Sequence, residues 1–354
     1  MATPKNTHFP MLDNDDSPNA HPLKALTKRI TEAYGPSGYE QGVRELIREE
    51  IKGCADEVRV DALGNLIARK KGNGAAPRKK VMLAAHMDEI GVIVTHIDEK
   101  GFARFAPIGG VYPLTLFGQR CRFANGVIGV FGRETKNSTA SEIALNKLFI
   151  DVGATSKDDA PIQVGDPAGF WRDFSDLGNR LVSKAMDDRI GCVVLIQVLK
   201  QLKSPHDVYC VFTVQEEVGL RGATTSAYGV QPDLAIAVDV TGTGDTPEAN
   251  TMAVQLGKGP AIKVKDAGML AHPAVKNLLA ETARAEKIPY QFEVLVGGTT
   301  DAMAMQTTRE GVPAGCLSIP TRYIHTPSEM IDFDDLQNAI KLLVAVLSKP
   351  VKFD

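Results

Sequence analysis

The sequence predicts an α/β layered domain interrupted by a small inserted β domain. Three observations carry that expectation. Short, continuous apolar runs recur, as in strands covered on both faces. Segments with helical spacing fall between them. One stretch, residues 91 to 181, instead alternates apolar and polar positions and carries glycine turns. The 354 residues also exceed what a single core usually supports, so two units are expected.

The elements follow in order. Residues 1 to 20 are polar and proline-bearing, lack the apolar middle of a leader peptide, and read as a mobile extension. "PLKALTKRITEAYG" (22 to 35) has helical spacing and a closing glycine, and "YEQGVRELIREEIKGC" (39 to 54) is a second helix. "GNLIARKKG" and "KKVMLAAHMDEIG" read as strands. Further apolar runs lie at 207–217, 232–242, 290–298 and 312–320, with helices expected at 188–203, 219–228, 272–287 and 335–348. Alternation of this kind builds an α/β layered domain from residues 21–90 and 182–354. Strands of that domain flank residues 91–181 on both sides, so the β segment is an insertion.

Composition excludes several classes. A net charge of −3 argues against a nucleic-acid or membrane-surface binder. No apolar run approaches the ~18 residues needed to span a bilayer. Cys54, Cys121, Cys192, Cys210 and Cys316 are odd in number, widely spaced and without a CxxC pair, which suggests reduced thiols in the cytoplasm. None has a partner base nearby in sequence, which disfavours a cysteine nucleophile. "NST" at Asn137 matches a glycosylation acceptor, which carries little weight for a cytosolic chain.

The chemistry gathers where the apolar runs end. His86 and Asp88 follow "VMLAA"; Glu216 and Glu217 follow "YCVFTVQ"; Asp239 closes "LAIAV"; His325 follows "AGCLSIPTRY". Asp187 and Asp188 open the long apolar helix, with Arg189 behind them. Each has an ordinary explanation alone: a hydrogen-bonded loop histidine, a turn or cap aspartate, a solvated glutamate pair, a structural arginine. Ligands, however, bind at the carboxyl ends of strands in open α/β sheets. Gathered there, these groups would repel unless cations neutralised them.

A catalytic zinc keeps about three protein ligands and an open position. Two cations sharing one carboxylate then need five residues. The two histidines, Asp239, one glutamate of its pair and one aspartate of its pair supply them. Mixed nitrogen and oxygen donors suit zinc, cobalt or manganese rather than magnesium or calcium. The remaining glutamate is then free to act as general base. The absence of HExxH argues against the helix-borne metalloprotease type.

Six blocks, "AAHMDEIG", "SKAMDDRIGC", "TVQEEVGLRGA", "AVDVT", "LGKGPAI" and "RYIHTPSEM", resemble the signature of the tetrahedral (TET) aminopeptidase family of clan MH. That family includes glutamyl and deblocking aminopeptidases and members labelled endoglucanases. The resemblance runs from about residue 25 to 350 and leaves the N-terminal extension outside it. It implies a three-layer α/β/α sandwich of the zinc-peptidase type, with a PDZ-like or barrel-like insert that dimerises, and a hollow dodecamer that admits peptides but not folded proteins. It also implies two divalent metal ions per subunit, zinc or cobalt foremost. His86, Asp187 and Asp239 would hold one; Asp187, Glu217 and His325 the other, with Asp187 bridging. Glu216 would be the general base, Asp88 would orient the His86 ring, and Asp188 would serve the helix start. The Asp187–Asp188 peptide is expected to be cis. "GGTTDAMAM" (297 to 305) falls where the family builds part of its substrate pocket, although a glycine turn with Asp301 capping a helix explains it equally.

The function expected is removal of N-terminal residues from peptides. A carboxypeptidase or deacylase on the same scaffold is the alternative, since fold and metal site do not choose between them. A glycoside hydrolase is disfavoured because that chemistry uses two carboxylates rather than metals and histidines. An assembly protein that had kept the fold would be marked by a missing ligand, and all five are present.

Overall fold

The computed structural model describes residues 21–135 and 143–351. The expected mobile extension and the Asn137 acceptor lie outside the described residues.

Helices α1 (Pro22–Thr31) and α2 (Gln41–Glu50) come first, followed by the hairpin β1 (Glu57–Val60) and β2 (Leu66–Lys70) and then by β3 (Lys80–His86). Six strands follow: β4 (Gly91–Ile97), β5 (Ala103–Ile108), β6 (Arg120–Phe123), β7 (Ile128–Arg133), β8 (Leu148–Asp151) and β9 (Pro167–Phe170). They close a barrel in the order β4-β5-β8-β7-β6-β9 around its own core, which includes Phe123, Phe131 and Phe170. The chain returns through β10 (Ser175–Leu177), β11 (Arg180–Ser183), α3 (Met186–Gln201), β12 (Asp207–Thr213), α4 (Arg221–Val230), β13 (Leu234–Thr241) and β14 (Ala261–Lys265). It ends with α5 (Pro273–Ala285), β15 (Gln291–Val294), α6 (Asp301–Gln306), β16 (Ala314–Arg322), β17 (Glu329–Asp332) and α7 (Phe333–Leu347).

The main sheet runs β1-β2-β12-β3-β13-β16-β17-β11-β10, with β14 attached to β16 and β15 to β14. Its centre, β12-β3-β13-β16, is parallel. Side chains alternate across a strand, and β3 shows the consequence. Val81, Leu83 and Ala85 enter one core with α1, α2, α3, α5 and α7, while Met82 and Ala84 enter a second with α4 and α6. The result is a three-layer α/β/α sandwich with an inserted barrel.

Some expectations shift. Strands β10 and β11 pair with β17 in the main sheet, so the barrel strands end at Phe170 rather than near 181. Three-residue and four-residue strands with glycine turns look alike in sequence whichever sheet they join. Helix α1 stops at Thr31, and Gly35 serves another purpose: a Cβ there would lie 2.9 Å from the guanidinium of buried Arg189. The run at 290–298 is an edge strand rather than a covered one: Phe292 and Val294 face outward and Glu293 is buried. No helix among the described residues is long and apolar enough to cross a membrane.

Candidate active site

Four parallel strands end at one edge, and the predicted residues follow from those ends. Thr213 of β12 pairs with His86 of β3, and Ala84 of β3 with Ala237 of β13, which brings Asp239 to the same edge. Glu216 and Glu217 lie just past β12, and His325 just past β16. Gln215 adopts φ 55°, the left-handed turn that brings both neighbouring glutamates into one cavity. His86, Asp187, Glu216, Glu217, Asp239 and His325 all line that cavity.

The Asp187 carboxylate stands between the two imidazoles. Its Oδ1 is 3.0 Å from His86 Nε2 and its Oδ2 is 3.3 Å from His325 Nε2. His325 Nε2 is also 3.3 Å from Glu217 Oε1, yet that buried oxygen has no properly formed hydrogen bond. Glu216 Oε2 lies 3.8 Å from His86 Nε2. Donor atoms of His86, Asp187 and Glu217 lie within 4.8 Å of one another, as do those of His86, Asp188 and Asp239. The second trio contains Asp188 where the sequence reading has Asp187. The Asp188 oxygens, however, are engaged by the backbone: Oδ1 accepts from Gly191 N at 3.0 Å and Oδ2 from His86 N at 3.2 Å. Asp188 thus caps the start of α3, and Asp187 is the aspartate that faces both rings. The peptide between them is cis, and Gly191 leaves room for the cap, since a Cβ there would lie 2.4 Å from Asp188 Oδ2.

The electrostatics are those of crowded acids. Burial, reinforced by neighbouring acids, pushes Glu216, Glu217, Asp239 and Asp188 above the usual carboxylate range. Burial disfavours charge on His325, but the carboxylates of Asp187 and Glu217 outweigh it and raise the imidazole to about 12. Burial would raise Asp187 too, and the two imidazoles instead hold it well below its ordinary value. Such a cluster fits divalent cations: nitrogen and oxygen donors converge, and Glu217 offers an orphaned buried oxygen.

The surrounding residues fix the donors. His86 Nδ1 meets the Asp88 main-chain carbonyl at 3.1 Å, while the Asp88 carboxylate is 3.5 Å away. That carboxylate accepts from Ser37 Oγ at 2.6 Å and from the backbone N–H groups of Glu216 and Glu217 at 3.0 and 3.2 Å. Asp88 therefore holds the glutamate turn more directly than the ring. Arg189 is a framework residue: it donates to the carbonyls of Ile30, Ala33 and Gly35 at the end of α1 and lies 3.4 Å from Glu89. In "GGTTDAMAM", Gly298 and Thr299 line the cavity. Thr300, rather than Asp301, caps α6, and Asp301 accepts from Thr213 Oγ1 at 2.6 Å.

Three residues at the site escaped the sequence reading. Buried Glu329 clamps the site from behind, accepting from Asp187 N at 2.9 Å and His325 N at 2.8 Å. Its only signal was its place in "HTPSEM", four residues past His325. Gly109 and Gly110, which read as a turn, seat the barrel against the site. A Cβ on Gly110 would lie 2.6 Å from His325 Nδ1. Gly110→Ala is therefore expected to displace the imidazole and lower kcat/KM by roughly 10²-fold, the scale of a 1 Å misplacement at a catalytic centre. Steady-state kinetics on the folded variant check this, and wild-type kcat/KM would show that the ring has room to move.

Similarity to known proteins extends over most of the chain. Residues 64–342 match the family model described as M42 glutamyl aminopeptidase. A lysyl aminopeptidase of Pyrococcus furiosus is 41% identical, covering 93% of this chain and 98% of its own. The solved structure of an aminopeptidase from the archaeon Desulfurococcus kamchatkensis has a TM-score of 0.88 and 45% identity, covering 93% of this chain and 95% of its own. The TET1 peptidase of Pyrococcus horikoshii, described as assembling into a tetrahedron or a large octahedral shell, has a TM-score of 0.83 and 33% identity, covering 93% of this chain and 100% of its own.

Proposed function

Since the chain belongs to the M42 glutamyl aminopeptidase family and is a metal-dependent aminopeptidase, we propose that it removes N-terminal residues from peptides with two divalent cations per subunit and Glu216 as general base. The observation that carries this reading is the Asp187 carboxylate, which faces His86 with one oxygen and His325 with the other. His86, Asp187 and Asp239 would hold one cation, and Asp187, Glu217 and His325 the other, with zinc or cobalt suiting the donors. Bound there, the pair would acidify a water and polarise the scissile carbonyl.

The chain's own groups do the rest. Glu216 takes the proton of the attacking water and returns it to the departing amine. Asp88 holds the backbone of Glu216 and Glu217, so the base keeps its aim. Glu329 fixes the backbone of Asp187 and His325 together, which keeps the Asp187 carboxylate and the His325 imidazole in register. A peptide labelled at both ends tests direction: successive release from the amino end is expected, and release from the carboxyl end would contradict the reading.

The barrel is the proposed oligomer contact, and a closed dodecamer the proposed assembly. Leu114 and Val164 of this insertion are 75% and 61% exposed, apolar side chains that self-association would cover. Light scattering should give a mass near twelve chains. A stable monomer with full activity would refute the role of the barrel. The five cysteines are free, four of them buried, which suits the reducing cytoplasm.

A further inference from the structure

The cavity continues beyond the acids and imidazoles, and there its wall is uncharged. Its volume is about 530 Å³, and the remaining lining includes Tyr112, Leu220, Thr241, Leu295, Thr299 and Ile324. Behind Thr241 lies a charge pair that the hydrolysis does not use. Lys263 of β14 and Glu293 of β15 are both fully buried and paired, ammonium to carboxylate. Glu293 Oε1 also accepts from Thr241 Oγ1 at 2.7 Å, so the wall residue and the cation share one carboxylate oxygen. Strand β14 pairs with β16, and β16 with β13, so Lys263 lies two strands from the one that carries Asp239.

A glutamyl side chain needs a free cation at the wall, and a lysyl side chain needs a free carboxylate. Here Glu293 occupies Lys263, and every carboxylate lining the cavity belongs to the cluster. An unpaired charge entering such a wall loses its hydration without gaining a partner. An aliphatic side chain only gains by leaving water. We propose that the cavity takes neutral, aliphatic first residues of leucine or methionine size, and that Glu293 sets this preference by neutralising Lys263. The proposal rests on the cavity being the aminopeptidase site.

The test is a panel of leucyl, methionyl, glutamyl and lysyl p-nitroanilides with cobalt or zinc added. Leucine and methionine should exceed glutamate and lysine in kcat/KM on the order of 10²-fold. Glu293→Gln frees the Lys263 ammonium and should raise the glutamyl-to-leucyl ratio by at least ~10-fold. Adding Lys263→Met to that variant should restore the leucyl preference. Because breaking a buried pair can prevent folding, Leu295→Arg gives an independent route: it places a cation on the half-buried rim and should raise the same ratio. A wild-type preference for glutamate would overturn the proposal by showing Lys263 available. A preference for lysine would overturn it too, and would point to Glu293 Oε2, a buried oxygen without a partner. An unchanged ratio in folded Glu293→Gln would remove Glu293 from its role, and an unchanged ratio in Leu295→Arg would show that charge at this wall does not set the preference. Hydrolysis of none of the panel would instead sink the aminopeptidase reading, and this proposal with it.

Discussion

Glu216→Gln is expected to lower turnover by at least ~10²-fold, the lower end for loss of a general base. The amide keeps the shape of the side chain and its place in the turn set by Gln215 and Asp88. What it loses is the capacity to accept a proton. Glu216 is largely buried, and its carboxylate lies close to His86 rather than between two donors, so its loss should leave metal content near native. Single-turnover kinetics beside elemental analysis check both statements. Near-native turnover in the folded variant would move the base elsewhere, with Asp301 or Asp239 the next acids to examine.

Metal removal should have the largest effect of all. Dialysis against a strong chelator is expected to abolish peptide hydrolysis, and divalent cobalt or zinc to restore it. The physical cause is the cluster itself: Glu216, Glu217, Asp239 and Asp187 converge in one cavity whose lining offers two imidazoles to offset them. Ligands that bind only the folded state stabilise it, by about 2.7 kcal/mol at a free concentration one hundred times Kd. The metal-free protein should therefore also melt at a lower temperature. Full activity in protein shown by elemental analysis to be metal-free would refute the account.

Much of this was legible in the sequence because the fold concentrates its chemistry where apolar runs end. "VMLAAH" and "LAIAVD" are parallel strands whose last residues face the ligand edge, so strand and donor were read together. The order of the six blocks then pointed to a family, and the cis peptide at Asp187–Asp188 agrees with that resemblance. What stayed hidden depended on contacts between distant segments. Gly110 carries no sign that it abuts His325 from another domain. Glu329 looks like a surface acid until its two backbone donors are seen. Glu293 sat in a run of apolar residues that read as covered, whereas β15 is an edge strand whose buried face is the polar one. Asp88 was expected to work through the imidazole because it lies two residues away; its carboxylate, 3.5 Å from His86 Nδ1, also reaches the glutamate turn, a contact across 128 residues of sequence. Periodicity reports which face is apolar, and it is silent about which polar group a buried carboxylate will meet.

The central claim is two cations per subunit bridged by Asp187, with adjacent glutamates divided between ligand and base. Elemental analysis of the wild type, Glu216→Gln and Glu217→Gln, each beside its turnover, tests it most directly. Two equivalents are expected in the wild type and in inactive Glu216→Gln. In Glu217→Gln, one equivalent should weaken or be lost, with partial activity returning at high cobalt. A single equivalent in fully active wild type, or loss of metal from Glu216→Gln with two retained in Glu217→Gln, would contradict it.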